Sequence, residues 1–372
     1  MRTAPRILLG QLGANGDCLY ATAVARQIKT DFPSCHLTWA VGSLFRHVLD
    51  GNPFIDAIWE IPLSSRIELE NTWRRFAPEA RARRERGEFD EVYLTQINPE
   101  NYGNFDMTVR ASIFRSYPRP ITVPVAPVVR LREDEVDNAT RFAARHGLDR
   151  YEHRILFECM AASSQSFLTP AFATEAAQLV LDRVPDTAFI LSSTLPVTST
   201  DPRIIDGSVM RFRENAEITR HCTLFIGGSS GLTWLATSDW AAPLPMIQLL
   251  SRETSVYASV VHDAEYFGLP TEHILEMTDC TPRHLADCIV VTLTRNLAAA
   301  RRVFHEQIPV RLDFYMSTII WSLVKAFRFR DVVRSWGCVA RRYGPGPFLR
   351  FAATAPARLF TNLDREIRNF RG

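Results

Sequence analysis

The seven cysteines of this 372-residue chain form no C-x-x-C pair. Their odd number leaves no complete disulfide framework, which excludes a zinc ribbon or a disulfide-stapled scaffold and fits reduced thiols. No run reaches the roughly 20 apolar residues that cross a bilayer. The nearest candidate, FYMSTIIWSLVKAF from Phe314, is interrupted by Ser317, Thr318, Ser322 and Lys325 and reads as a buried or interfacial helix. The N-terminal MRTAPRILLGQLG offers an apolar stretch too short for a signal-peptide core and no small-residue cleavage site, so a cytoplasmic protein is expected. There is no D-x-D, no G-K-[ST] after the N-terminal glycine-rich turn, no short tandem repeat and no nucleic-acid-binding motif. A P-loop, a solenoid and a nucleic-acid partner are thereby set aside, and metal-independent chemistry with no cofactor is expected.

What is present is ordinary globular material, 46% hydrophobic and long enough for two domains. The net charge of +2 is unevenly spread. Residues 325–372 carry eleven Lys or Arg against three Asp or Glu, which leaves the remainder at −6. Phe327, Phe329, Trp336, Phe348 and Phe351 interleave with those arginines. A solvated basic helix is the plain reading of this tail, and peripheral contact with an anionic inner-membrane surface is its alternative.

Short β-rich runs alternate with helical patterns from the start: RILLGQL, a helix from Asp17 to about Thr30, HLTWAV, AIWEIP and EVYLTQ. Such alternation specifies an α/β fold with parallel sheets. The proline-rich PRPITVPVAPVV, residues 118–129, ends a first unit, since proline is kept out of central strands. The pattern restarts after an amphipathic helix stopped by Gly147, with RILFECM, AFILSS, SVMRF, TLFIGG and PMIQLL as strands. We therefore expect a unit at 1–128, a second at 129–305, and helices with a basic tail at 306–372. Helices are expected over about 282–305 and 309–334, and VVHDAEYFG, which holds His262, Asp263 and Glu265, reads as a surface loop.

The stretch GQLGANGDCLYAT, residues 10–22, places three glycines and an acid where the first strand gives way to a helix. Its spacing, G-x-x-G-x-x-G, is not that of a dinucleotide fingerprint, and the second strand ends without a ribose-binding acid. As a bare turn, it would use Asp17 to complement the helix dipole.

The same stretch also resembles something more specific. RILLGQLGANGDCLYATAVARQIKTDFPSCHLTWAVG, followed by GNPFIDAIWEI, is similar to the opening of the heptosyltransferase-like glycosyltransferases of family 9, which have a G-x-x-G-D turn and an N-P-x-[IV]-D segment. LFIGGSSGLTWLATSDWAAPLPMI, residues 224–247, resembles the family's later strand, G-x-[DS]-[ST]-G turn and helix. ILFECMAASSQSFLTPAFATEAAQLVLDRVPDTAFILSS resembles the opening of its nucleotide-binding half.

The resemblance implies a GT-B architecture, two Rossmann-like domains facing across a cleft, with the acceptor on the first and a nucleotide-sugar donor on the second. It implies an inverting transfer to a glycan or glycolipid acceptor in envelope-glycan synthesis, with Asp17 in the position of the family's proposed general base. Gly13, Asn15 and Gly16 would form the acceptor-side turn. Ser163, Ser164, Gln165, Ser166, Glu214, Ser229, Ser230, Gly231 and Trp234 would face the donor. Glu214 also reads as a first-turn helix acid, and Trp234 as core.

The chain departs from the family in two places. Its phosphate-facing loop AASSQSFLTP lacks the usual lysine or arginine, which leaves Arg213 or Arg252 to supply charge. Ser229 and Trp234 stand where the family carries Asp and His. A nucleotide-sugar epimerase or hydrolase, or a non-catalytic sugar-nucleotide-binding scaffold, are the alternatives.

Overall fold

The computed structural model describes residues 4–160, 165–252, 259–312, 315–346 and Leu349. Two parallel sheets organise it. The first has the order β3-β2-β1-β4, from β1 (Arg6–Gly10), β2 (His36–Gly42), β3 (Ala57–Ile61) and β4 (Glu91–Leu94). The second has six strands in the order β10-β9-β8-β5-β6-β7: β5 (His153–Glu158), β6 (Thr187–Ser192), β7 (Ile204–Asp206), β8 (Leu224–Gly227), β9 (Met246–Leu250) and β10 (Ile274–Thr278). Central strands are covered on both faces and read as unbroken apolar runs. Ile7–Leu9 and Ile155–Phe157 are fully buried accordingly.

The connecting helices include α1 (Asn15–Asp31), α2 (Leu69–Glu85), α3 (Val109–Phe114), α4 (Glu133–Arg145), α5 (Pro170–Leu181), α6 (Glu214–Ile218), α7 (Gly231–Ala236) and α8 (Val260–Tyr266). α4 ends where expected, with Gly147 in the left-handed region at φ 58°. Strand order reverses beside β1 in the first sheet and between β8 and β5 in the second. In open parallel sheets, ligands bind outside the carboxyl ends of strands at such switch points.

Three local expectations need correction. SVMRF is not a strand. The strand is the preceding Ile204–Asp206, because Asp206 Oδ1 accepts the Ser208 N–H and Glu214 accepts the Arg211 N–H, turning the chain straight into α6. VVHDAEYFG is not a surface loop but α8, started by Ser259, whose hydroxyl accepts the His262 N–H, with Val260, Asp263 and Ala264 buried. The helix expected at 309–334 is broken at Phe327, φ 55°, and resumes as Phe329–Tyr343.

That last helix crosses back to the first sheet's domain. Arg328 donates to the carbonyls of Pro99 and Glu100, and Ser335 Oγ donates to the Phe105 carbonyl at 2.6 Å. Among the described residues no helix is long and apolar enough to cross a membrane.

Candidate functional site

The two switch points face each other across one cavity of about 660 Å³, within the size range of small-molecule sites. Its first wall carries Asn15, Gly16 and Asp17 after β1, Arg66 after β3, and Gln96, Asn98 and Tyr102 after β4. Its second wall carries Glu158 and Met160 after β5, Ser192–Thr194 after β6, Ser208, Met210, Phe212 and Asn215 around α6, and Ser229–Leu232 after β8.

The walls meet where α1 and α7 begin. A Cβ on Gly231 would lie 2.9 Å from Asn15 Cβ, and one on Gly16 would lie 3.1 Å from the Trp234 ring. These two glycines therefore let protein approach protein, and their role is close domain packing. Gly13 lies behind the cavity against Phe45, and its N–H, like that of Leu12, donates to Gln96 Oε1. Gln11 and Thr95 complete this buttress, with Gln11 Nε2 bonded to the Gly13 carbonyl at 2.7 Å and Thr95 Oγ1 to Gln11 Oε1 at 2.8 Å.

Asp17 occupies the third position of α1 and faces the cavity. Crowding by protein pushes its carboxyl up to about 6, against the opposing pull of the Ala14 N–H and the Arg66 charge. Across the cleft, Glu158 is 2% exposed. Burial likewise raises it to about 7, although Ser230 Oγ, the Gly228 N–H at 3.1 Å and Thr233 Oγ1 at 3.2 Å all donate to it. Glu158 thus holds the 228–233 turn in place. The signal for it in the sequence is an acid at the end of an apolar strand, since ligands bind outside the carboxyl ends of parallel strands.

The donor-side residues expected from sequence divide into groups. Gln165, Ser229, Ser230, Gly231 and Trp234 line the cavity. Ser166 does not line it, since its hydroxyl donates to the Leu249 carbonyl at 2.8 Å. Glu214 is turned away from the cavity and accepts from Arg211 and Asn138, which is the first-turn role. Ser163 and Ser164 lie outside the described residues. Trp234 is 7% exposed and packs on Tyr20, ring centroids 4.7 Å apart.

Neither arginine expected to supply charge lines the cavity. Arg213 is buried against Glu135 at 2.9 Å and the carbonyls of His47, Asp50 and Arg130, and Arg252 pairs with Glu306. The arginine on the cavity wall is Arg66, in the short 3-10 turn Arg66–Glu68.

Sequence reasoning also missed Asn215. Its Nδ2 donates to the Arg211 and Phe212 carbonyls at 3.2 and 3.1 Å, which fixes the amide orientation. Oδ1 has no partner among the described residues, in a residue 3% exposed on the cavity wall. A buried acceptor in this state asks for a donor from a ligand or water. Among the described residues no three His, Cys, Asp or Glu side chains converge to hold a metal ion.

No protein-family model and no curated protein matches this chain. Solved structures do. A family 9 glycosyltransferase from Veillonella parvula superimposes over 88% of this chain and 97% of its own, with a TM-score of 0.54 at 14% identity. The ADP-heptose lipopolysaccharide heptosyltransferase II of E. coli covers 78% of this chain and 99% of its own, at 0.50 and 13%. A Listeria monocytogenes protein assigned as a UDP-N-acetylglucosamine 2-epimerase covers 88% and 97%, at 0.50 and 10%. At these identities the likeness is one of fold, and the fold is GT-B: two Rossmann-like domains with the cleft between them.

Proposed function

We propose that this chain is a divergent family 9 glycosyltransferase that moves a sugar, with inversion, from a nucleotide-sugar donor to a saccharide or glycolipid acceptor. The observation that carries this reading is Asp17, a carboxylate raised to about 6 on one wall of a cavity whose opposite wall is the 228–231 turn of the other domain. A general base works best with a pKa near the operating pH and within reach of the proton it takes. Asp17 removes the acceptor hydroxyl's proton as that oxygen bonds to the anomeric carbon. The bond from that carbon to the nucleotide's terminal phosphate oxygen breaks on the opposite face, and the nucleoside diphosphate leaves.

The leaving charge needs a cation or hydrogen-bond donors. Arg66 and the polar turn residues Gln165, Ser229 and Ser230 provide them in this reading, in place of the family's basic loop residue. Met160, Met210 and Phe212 with Ser192–Thr194 form a largely uncharged slot for the nucleoside, and Asn215 Oδ1 accepts from one of its N–H or O–H groups. Asn215→Ala is then expected to weaken donor binding about tenfold, the worth of one hydrogen bond, with little change in kcat. Titration of the donor by calorimetry and kinetics checks this, and an unchanged affinity would remove Asn215 from the donor site.

The primary test is a thermal-shift series with nucleoside diphosphates and their sugars, repeated with chelator. A ligand at a hundredfold excess over its Kd stabilises the native state by about 2.7 kcal/mol, so a chelator-resistant shift with one nucleotide family is the expected result. No shift with any nucleotide would overturn the proposal. Turnover of the donor alone, with no acceptor present, would favour a hydrolase or an epimerase, the latter being the activity assigned to the Listeria protein.

A further inference from the structure

The break at Phe327 presents an apolar patch that packing does not explain. Phe327 is 82% exposed and Phe329 57%, their rings meeting at 6.3 Å, and Val333 one turn further is 70% exposed. Phe327 sits at φ 55°, a region in which a bulky side chain is an outlier. That conformation caps the helix Trp321–Lys325, with the Phe327 N–H bonded to the Val324 carbonyl at 3.0 Å and the Arg328 N–H to the Leu323 carbonyl at 2.9 Å, but the cap alone does not call for a phenylalanine. Lys325, Arg330, Arg334 and Arg341 are exposed on the same segment. The one acid between residues 325 and 341 is Asp331, which is drawn inward, pairing with Arg328 at 2.6 Å.

We propose that this apolar knuckle within a cationic surround docks on an anionic lipid bilayer. In that position the two phenyl rings enter the boundary between headgroups and acyl chains, and the cations face lipid phosphates. Charge complementarity selects this occupant. A second copy of the chain would bring the same cations against their own equivalents across a two-fold axis, whereas an anionic surface meets all of them at once.

The docking does not depend on glycosyl transfer, but it would serve it. Arg328, between the two phenylalanines, is bonded to the Pro99 and Glu100 carbonyls, and the adjoining Asn98 and Tyr102 line the cleft. Docking would therefore hold the acceptor-side wall at the bilayer, where a lipid-carried acceptor resides.

The test is sedimentation of the full chain with vesicles of phosphatidylcholine alone and of phosphatidylcholine mixed with phosphatidylglycerol, without donor or acceptor, so that its outcome is separate from that of the transferase reading. The wild type should partition to the mixed vesicles and lose that partition in high salt. Phe327→Ser with Phe329→Ser should lower the partition roughly tenfold or more with the melting temperature unchanged. Arg330→Glu with Arg334→Glu should abolish the preference for phosphatidylglycerol. The proposal is overturned if the wild type ignores anionic vesicles or the phenylalanine variant binds them as well as wild type. It is also overturned if light scattering shows a wild-type dimer that the phenylalanine variant dissociates, since the patch would then belong to a second copy.

Discussion

Asp17→Asn is expected to lower glycosyl transfer at least about a hundredfold, the lower bound for losing a general base, and at the same time to raise the melting temperature. Both effects follow from one placement. A carboxyl moved from 3.8 in the unfolded chain to about 6 in the fold holds its proton more tightly when folded. The contribution of Asp17 to stability is therefore greatest at low pH, falls as pH rises from about 4 to about 6, and stays at the reduced level above, where both states are ionised.

At neutral pH the charge then costs the fold on the order of 1 kcal/mol after allowance for its partial exposure to the cleft. An asparagine removes that cost. The wild-type rate should rise about tenfold per pH unit below about 6 and level off above it, a limb that the variant lacks. If Asp17 served only as a first-turn acid, the outcome would reverse: transfer and its pH profile would persist, and the melting temperature would drop with the lost dipole complement. Rate, pH profile and thermal denaturation of the one variant separate the two roles.

Arg110→Ala should be among the most destabilising single changes in the chain, about 3–5 kcal/mol. Arg110 on α3 pairs with Asp263 on α8, with its Nε 2.8 Å from Asp263 Oδ2, a second contact through Nη2, and both side chains about 5% exposed. The guanidinium also donates to the Val125 carbonyl at 3.2 Å and lies over the rings of Tyr20, Trp234 and Phe267. Burial pushes the Asp263 carboxyl up, with a smaller push from the Asp106 charge, and Arg110 is the main opposing partner, followed by the Arg342 charge.

Removing the arginine leaves an unpaired buried acid between the domains. Replacing both partners with apolar residues, Arg110→Met with Asp263→Leu, should recover much of the loss, because a buried pair roughly balances its desolvation against its attraction. Urea denaturation of the two variants checks the pair. A loss below about 1 kcal/mol in the single variant would show that the domains are held elsewhere.

The parts of the site that sequence reveals are those whose chemistry is local. The turns at residues 13–17 and 228–231 announce themselves because a strand, a small-residue turn and a helix start must occur in immediate succession, and no distant residue alters that requirement. Glu158 is visible for a similar reason, as an acid closing a buried strand. Arg66 gives no such signal, since its place on the cavity wall depends on how a short 3-10 turn is set against α1.

Arg213 misleads in the opposite direction. It has the look of a spare cation, and nothing near it in the chain shows that Glu135 and three backbone carbonyls already surround it. Asn215 is hidden because the same amide could satisfy both ends in solvent, and only burial isolates its oxygen. The strand expected at 208–212 fails because apolar residues there, Met210 and Phe212, line the cavity and do not join the sheet.

The return of the chain's last helix to its first domain also sets an order of events during synthesis. Pro99, Glu100 and Phe105 are made early, but their carbonyl partners Arg328 and Ser335 come more than 220 residues later. A nascent first domain can close its sheet as soon as β4 emerges, yet one wall of its cleft must wait, unpaired, until nearly the whole chain has left the ribosome. Synthesis that stops short of residue 328 would thus yield two folded sheets around an unfinished site, and the polypeptide completes the first wall of its cleft among its last acts of folding.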